Sequence, residues 1–393
     1  MYNMLVDHQI KELINRKIIT SLNEDIIDLT QFVEPSSVDI PIGKVAYEIR
    51  DLFRPKRHDV NHYIEDLKSR EFNIDKEFYL HKGFHYIVPT LKVSKNEEGD
   101  YIMKFSPKSS IGRVDMHVRS VADHFDLYDI LPKKYSGNVY NILSPQSFNI
   151  RMKGGMALNQ LRFTSHTSPQ KDIENILEKC FEEKMTLEQT QQYVREYFNK
   201  KEYDSQTFLM DKKGNKIKTE IYDGYKFQMS LSLKDYDIIG YEALNTNEYV
   251  DITENKINKA STFYKPIEKT NKFKFEKGKN YIMVSKEKLS VPPKNAIEMT
   301  PSSHLIGELK IHKAGFFDNG FGYDKGNSAV LEITALEDVV IEDGATICWM
   351  EIHENNILPD LDYNKKTGGN YVNQEGPVLA KYFYNDFIGE KRK

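Results

Sequence analysis

The chain has 393 residues, 39% of them hydrophobic and 29% charged, with a formal net charge of −4, a balance that suits an ordinary globular protein of two or three domains. So small a net charge excludes nucleic-acid binding through a general basic field, while leaving room for a local pocket that takes a small anion. The 2 cysteines, Cys180 and Cys348, stand far apart and outside any C-x-x-C arrangement, so neither a disulfide framework nor a zinc ribbon is available; a reducing compartment, the cytoplasm, is expected.

In chain order, residues 7 to 17 predict a short helix, with Asp7 as its N-cap and Ile10, Leu13 and Ile14 on one face. The N-terminal stretch has no apolar h-region, and no run of about 18 apolar residues occurs, so no membrane span is expected. From about residue 30 to 163 the text changes to short alternating or apolar runs: SSVDIPIG, HYIVPTLKV, DYIMKF, VYNIL and MALNQLRF. Gly, Pro, Asn and Asp break them up, which predicts an all-β barrel or sandwich rather than a parallel βαβ sheet. Between about 168 and 200 the period turns helical, with Ile173, Ile176, Leu177 and Cys180 on one face and Ser168 and Pro169 suited to N-cap and N1. A second helix is expected from Thr186, whose spacing to Gln189 fits a capping box, running on through Val194, Tyr197 and Phe198. The β texture returns from about 205 to 385 in KFQMSLSL, EYVDIT, NYIMVSK, AVLEITAL, VVIEDG and ATICWMEI. Near the end, LDYNKKTGGNYVNQEGP carries neither period and reads as a loop or arm.

The chain repeats itself at a spacing of about 190 residues, too long for a solenoid, which marks a duplicated domain. Gly83, Tyr86, Pro107, Ser109, Ser110, Asp126 and Asp129 in the first half answer to Gly278, Tyr281, Pro301, Ser302, Ser303, Asp318 and Asp324 in the second. The expected organisation is therefore two β domains, 1–165 and 204–393, joined by a helical connector over 166–203.

The copies differ where chemistry would be done. Ser109, Ser110 and Arg113 offer hydroxyl and backbone donors plus a bidentate guanidinium, which together suit a polyphosphate, and Lys108 adds a second charge. The second copy has Ile306 at the arginine position. Conversely, strand alternation in AVLEITAL points Glu332 away from the face of Leu331 and Ile333. A carboxylate set among apolar neighbours is suited to general acid–base work. The first copy has Asn141 or Ile142 there and no acid nearby. Each half lacks what the other keeps, which points to one composite site per chain. Among single residues, Trp349 is expected in a core or interface, Cys348 as a buried small hydrophobe, and His312 and His353 in structural roles.

These residues resemble dCTP deaminases of the trimeric dUTPase superfamily, in the long two-module form. The resemblance is carried by PSSVDIPIG ending at Gly43, FYLHKG (78–83), SSIGR (109–113), VADHFD (121–126), AGFFDNGF (314–321), VLEI (330–333) and YNKKTGGNYVNQEG (363–376). It implies a mainly β chain with two dUTPase-like β-barrel domains and hydrolytic deamination of dCTP to dUTP and ammonia. It implies Glu332 as the base and Ser109, Ser110, Arg113 and Lys108 around the triphosphate, with Ser109 and Arg113 helping to orient the water. Asp126 or Asp318 would approach the sugar or base, and Val330 would line the substrate site. Tyr363 and Gln374 of the tail would close over the nucleotide, with Asn370 where the family motif has a lysine. Mg²⁺ would arrive with the triphosphate. The zinc-deaminase signature H-x-E…P-C-x-x-C is missing from the chain, so no zinc is expected. The family also implies a homo-oligomer, with dUTP or dTTP as product or feedback ligand, and neither nucleic acid nor membrane as partner. Alternatives are a dUTP diphosphatase, a bifunctional enzyme taking dCTP to dUMP, and a non-catalytic nucleotide-binding regulator.

Overall fold

A computed structural model describes residues 2–22, 28–94, 101–166, 180–181, 183–192, 208–300, 307–311, 314–355, 357–361, 371 and 374–390. Strands dominate, as the alternating runs predict. In the first half, His85–Val93 and Gly137–Pro145 form the middle of a six-stranded sheet; in the second, Asn280–Leu289 and Asn327–Ala335 pair in the same way within a seven-stranded one. The two copies agree in small detail. Gly83 and Gly278 take φ of 83° and 78°, and Asp129 and Asp324 both take φ of 61°, a left-handed turn region in which glycine and aspartate are tolerated best. The Tyr86 hydroxyl accepts from the His81 N–H at 3.2 Å, and the Tyr281 hydroxyl accepts from the Glu276 N–H at 3.0 Å.

The halves are not strung side by side but share hydrogen-bonded sheets. A nine-stranded sheet runs through both, and its hinge is the strand Tyr2–Met4. That strand pairs antiparallel with Ala157–His166 of the first half and parallel with Thr346–Glu354 of the second. A second junction sets Asn149–Met152 parallel to Tyr249–Asp251. Between them lies one apolar cluster drawn from both halves, including Ile111, Val114, Leu143, Tyr264, Ile282 and Val330. Arg162, fully buried, crosses the same divide: Nη2 meets Glu298 Oε1 at 2.6 Å and Nη1 donates to Ser106 Oγ at 2.7 Å. Burial by itself would raise the Glu298 pKa, but Arg162, His353 and Lys104 overcome it and hold the carboxyl well below the usual range.

Several local expectations change. The N-terminal helix spans Asp7–Asn15 with Val6, not Asp7, at the N-cap. Asp7 is the first helical residue, and its carboxylate accepts the backbone N–H groups of Asp360 and Leu361 at 3.0 and 3.1 Å, tying the start of the C-terminal segment to the helix. A helix, Val60–Leu67, interrupts the first β region. Asp59 caps it, accepting from the His62 N–H at 2.9 Å, a signal present in DVNHYIEDL but too short to stand out from strand text. Trp349 is half-buried, edge-on to Tyr222 at 5.1 Å, on the opposite face of its strand from the buried Cys348. The Thr186–Gln189 capping box forms, with both reciprocal hydrogen bonds, at 2.8 and 3.2 Å. Ile173, Ile176, Leu177, Val194, Tyr197, Phe198, Ser168 and Pro169 lie outside the described residues.

Candidate active site

The register of the two central strand pairs identifies the counterpart of Glu332. Tyr86 lies opposite Leu143, and Tyr281 opposite Ile333. One residue back along the strand, Glu332 therefore matches Ile142 rather than Asn141. Alternation holds as expected: Leu331 and Ile333 enter the core of the second half, while Val330 belongs to the cluster shared by both halves. Glu332 points with Val330 toward the first half.

What meets that face is the short helical turn Ser109–Gly112, followed by Arg113. Its closeness depends on Gly112. A Cβ there would stand 2.6 Å from the Ala314 Cβ and 3.4 Å from the Glu332 Cδ, so the turn can sit against the strand only without a side chain at this position. Arg113 Nε comes within 3.7 Å of Glu332 Oε1, both side chains being almost fully buried. The two half-sites recognised in the sequence thus meet within one chain.

Around the pair, second-half residues hold the turn. The Tyr264 hydroxyl donates to the Arg113 carbonyl at 2.7 Å, and burial, with Asp115 and Glu332 nearby, raises its pKa well above the usual value. Ser109 Oγ donates to the Ala314 carbonyl at 3.2 Å. Asp115 accepts from Ser147 Oγ at 2.6 Å, Ser147 in turn accepts from Asn280 at 3.0 Å, and Asn280 accepts from Thr334 on the Glu332 strand. Arg113 is further engaged by the C-terminal segment. Its Nη1 donates to the Val378 carbonyl at 3.0 Å, its Nη2 donates to Gln374 Oε1 at 3.3 Å, and its guanidinium lies 3.9 Å over the Tyr371 ring. Arg113 Nε makes no hydrogen bond among the described residues.

The serine turn carries the other expected groups. Ser110 Oγ lies 2.8 Å from the Tyr371 hydroxyl. Lys108 bonds to Asp39, from PSSVDIPIG. Burial opposes the lysine's charge, but the Asp39 carboxylate outweighs it and raises the pKa. Gln374 is buried and also donates to the Ser328 carbonyl.

The two candidate aspartates separate. Asp126 is partly exposed and paired with Lys56 at 3.0 Å, away from Glu332's surroundings. Asp318 is buried and accepts the Ser36 N–H at 3.2 Å. Burial, with Glu34 and Asp39 nearby, pushes its pKa up to about 8 against the Ser36 hydrogen bond. Tyr363, Asn370, Ile306, Ser302, Ser303 and His312 lie outside the described residues.

The equivalent face of the first half is closed. Ile142 is fully buried in a cluster with Ile87, Phe53, Val60 and Ile64, so the helix Val60–Leu67 covers the position that, in the second half, receives the Ser109–Arg113 turn. Among the described residues, the one group of three metal-capable side chains is Asp7, His8 and Asp360. Both Asp7 oxygens already accept backbone N–H groups there, which makes it a tether. The sequence reading missed Tyr264, Asp39 and Tyr371. Of these, Asp39 and Tyr371 sit inside motifs that carried the resemblance, whereas Tyr264 had no local signal.

Residues 2–167 match the family model for the 2′-deoxycytidine 5′-triphosphate deaminase N-terminal domain, and residues 196–383 match that for the C-terminal domain. Among solved structures, the chain is similar to 2′-deoxycytidine 5′-triphosphate deaminase from Agrobacterium tumefaciens. The two are 25% identical, the match covers 91% of this chain and 99% of that one, and the TM-score is 0.73. No curated protein matches the chain.

Proposed function

The chain belongs to the dCTP deaminase family and carries its activity, the hydrolytic deamination of dCTP, and on that premise we propose that one composite site per chain performs it. The observation that carries the proposal is the buried approach of Arg113 to Glu332 at 3.7 Å. That separation is longer than a direct hydrogen bond. A water bonded to both groups would satisfy the Arg113 Nε–H and stand against the carboxylate that is to deprotonate it.

Glu332 takes a proton from this water as its oxygen bonds to C4 of cytosine. The electron pair displaced from the C4–N3 double bond takes that proton at N3; the carboxylate then carries the remaining hydroxyl proton to the amine, the C4–N4 bond breaks, and ammonia leaves, with a C4 carbonyl and an N3–H in place. Arg113 orients the water and the base. Its own position is held by the Tyr264 hydroxyl, the Val378 carbonyl and Gln374. Ser109, Ser110 and Lys108 supply donors and charge to the triphosphate. Asp318, with a pKa near 8, is largely protonated at neutral pH and offers an O–H donor to the sugar or base. Val330 lines the site beside Glu332, and Gln374 of the tail stands against Arg113.

Mg²⁺ enters as part of the substrate, held by phosphate oxygens and water; the family's deamination uses no zinc. No helix among the described residues is long and apolar enough to cross a membrane, and we assign the enzyme to the cytoplasm. Because Arg113 and Glu332 come from one chain, the pair needs no second subunit.

The test is to incubate pure protein with dCTP and Mg²⁺ and follow ammonia, dUTP and pyrophosphate. Ammonia with stoichiometric dUTP is expected. Pyrophosphate appearing at the same rate would move the reading to a bifunctional deaminase and diphosphatase.

A further inference from the structure

We propose that Lys381 is the cation by which the C-terminal segment binds the terminal phosphate, and so a residue that favours the triphosphate over shorter nucleotides. This rests on the reading of the site as one that takes dCTP.

Lys381 is tied to the phosphate turn through its backbone. Its N–H donates to the Tyr371 hydroxyl at 3.3 Å, and that hydroxyl lies 2.8 Å from Ser110 Oγ. On its other side the Lys381 carbonyl accepts the Lys256 N–H at 2.9 Å. Ala380 and Tyr382, flanking it, are both buried. The main chain is therefore fixed, and binding an anion here would order only the side chain.

The cations of this region differ in what they already hold. Lys108 is bonded to Asp39. Arg113 is engaged by Val378, Gln374 and the Tyr371 ring. The Lys381 ammonium makes no ion pair among the described residues and lies 5.6 Å from the centroid of the Tyr382 ring. Burial, reinforced by Lys108 and partly opposed by Asp39, presses its pKa below the usual lysine value. A half-buried ammonium held beside another cation, the neighbouring Asp39 carboxylate being already bonded to Lys108, is stabilised by an incoming anion.

The experiment compares the wild type with Lys381→Gln and Lys381→Arg, using dCTP and dCDP as nucleotides and inorganic tripolyphosphate as a competitive inhibitor. In the glutamine variant the KM for dCTP and the Ki for tripolyphosphate should each rise about tenfold or more, as for loss of one charge-assisted phosphate contact. The change in kcat should be smaller than the change in KM. Affinity for dCDP, which lacks the terminal phosphate, should fall no more than about twofold, and the arginine variant should recover most of the loss. If the glutamine variant does not fold, Lys381→Met, which keeps the apolar stem, is measured in its place. Unchanged KM and Ki, or equal losses for dCTP and dCDP, overturn the assignment of Lys381 while leaving deamination standing. A wild type that releases no ammonia from dCTP overturns the reading of the site instead.

Discussion

Gly112 is where the two half-sites touch, so adding one methyl group there tests the composite site directly. In Gly112→Ala the new Cβ would lie 2.6 Å from the Ala314 Cβ, whereas carbon atoms in contact settle at about 3.5–4.0 Å. Neither neighbour can rotate away, because Ala314 ends at its Cβ and the turn is held through Ser109 and Tyr264. The Ser109–Arg113 turn must therefore retreat from the Glu332 strand by about 1 Å. Overpacking of this kind costs about 1–3 kcal/mol of stability, and a displacement of about 1 Å between reacting groups costs about 10²-fold in rate. Ammonia release at saturating dCTP should fall by about two orders of magnitude, while thermal unfolding shifts by only a few degrees. The double variant Gly112→Ala/Ala314→Gly removes the offending partner and leaves the next contact at 3.4 Å, to Glu332 Cδ, so it should recover most of kcat. A single variant within about threefold of wild-type kcat, or a double variant no better than the single, would refute the claim that this contact sets the geometry.

Glu332→Gln should lower kcat by about 10²–10⁴-fold, the range for loss of a general base, with dCTP affinity by calorimetry little changed; retained turnover would remove Glu332 from its role. Asp318 has a folded pKa of about 8 against an ordinary value of 3.8, so the native state keeps a proton that the unfolded chain releases in that window. The stability this contributes is complete below about pH 4, declines as pH rises toward 8, and is level beyond. Asp318→Asn, which can still accept the Ser36 N–H, should therefore gain stability relative to the wild type between pH 5 and pH 8 in urea unfolding; a pH-independent difference would sink the idea. Calorimetry should find one dCTP per chain, and Ile306→Arg should not create a second site, because Phe53, Val60 and Ile64 cover the Ile142 face. A stoichiometry of two would show that this face opens.

Much of the molecule was legible in the text of the chain. Period-two alternation is a local property of strands, so the β regions and the place of Glu332 on the face opposite Leu331 and Ile333 could be read without coordinates. The duplication was legible because both copies kept the same turn residues, Gly83 with Gly278 and Asp129 with Asp324, where left-handed backbone favours those types. The loss of Arg113's counterpart at Ile306, set beside the loss of Glu332's, already indicated a shared site. Local text could not choose between Asn141 and Ile142, or between Asp126 and Asp318. Those choices depend on cross-strand register and on burial against distant segments.

Only the tertiary structure decided that Arg113 and Glu332 meet within one chain and that the helix Val60–Leu67 closes the mirror face. It also decided that the Tyr264 and Tyr371 hydroxyls meet Arg113 and Ser110 of the serine turn. Hydrophobic period states which face of a strand is buried but not what buries it. Contacts such as Tyr264 to Arg113, 151 residues apart, are set by how whole sheets pack, which no local spacing encodes.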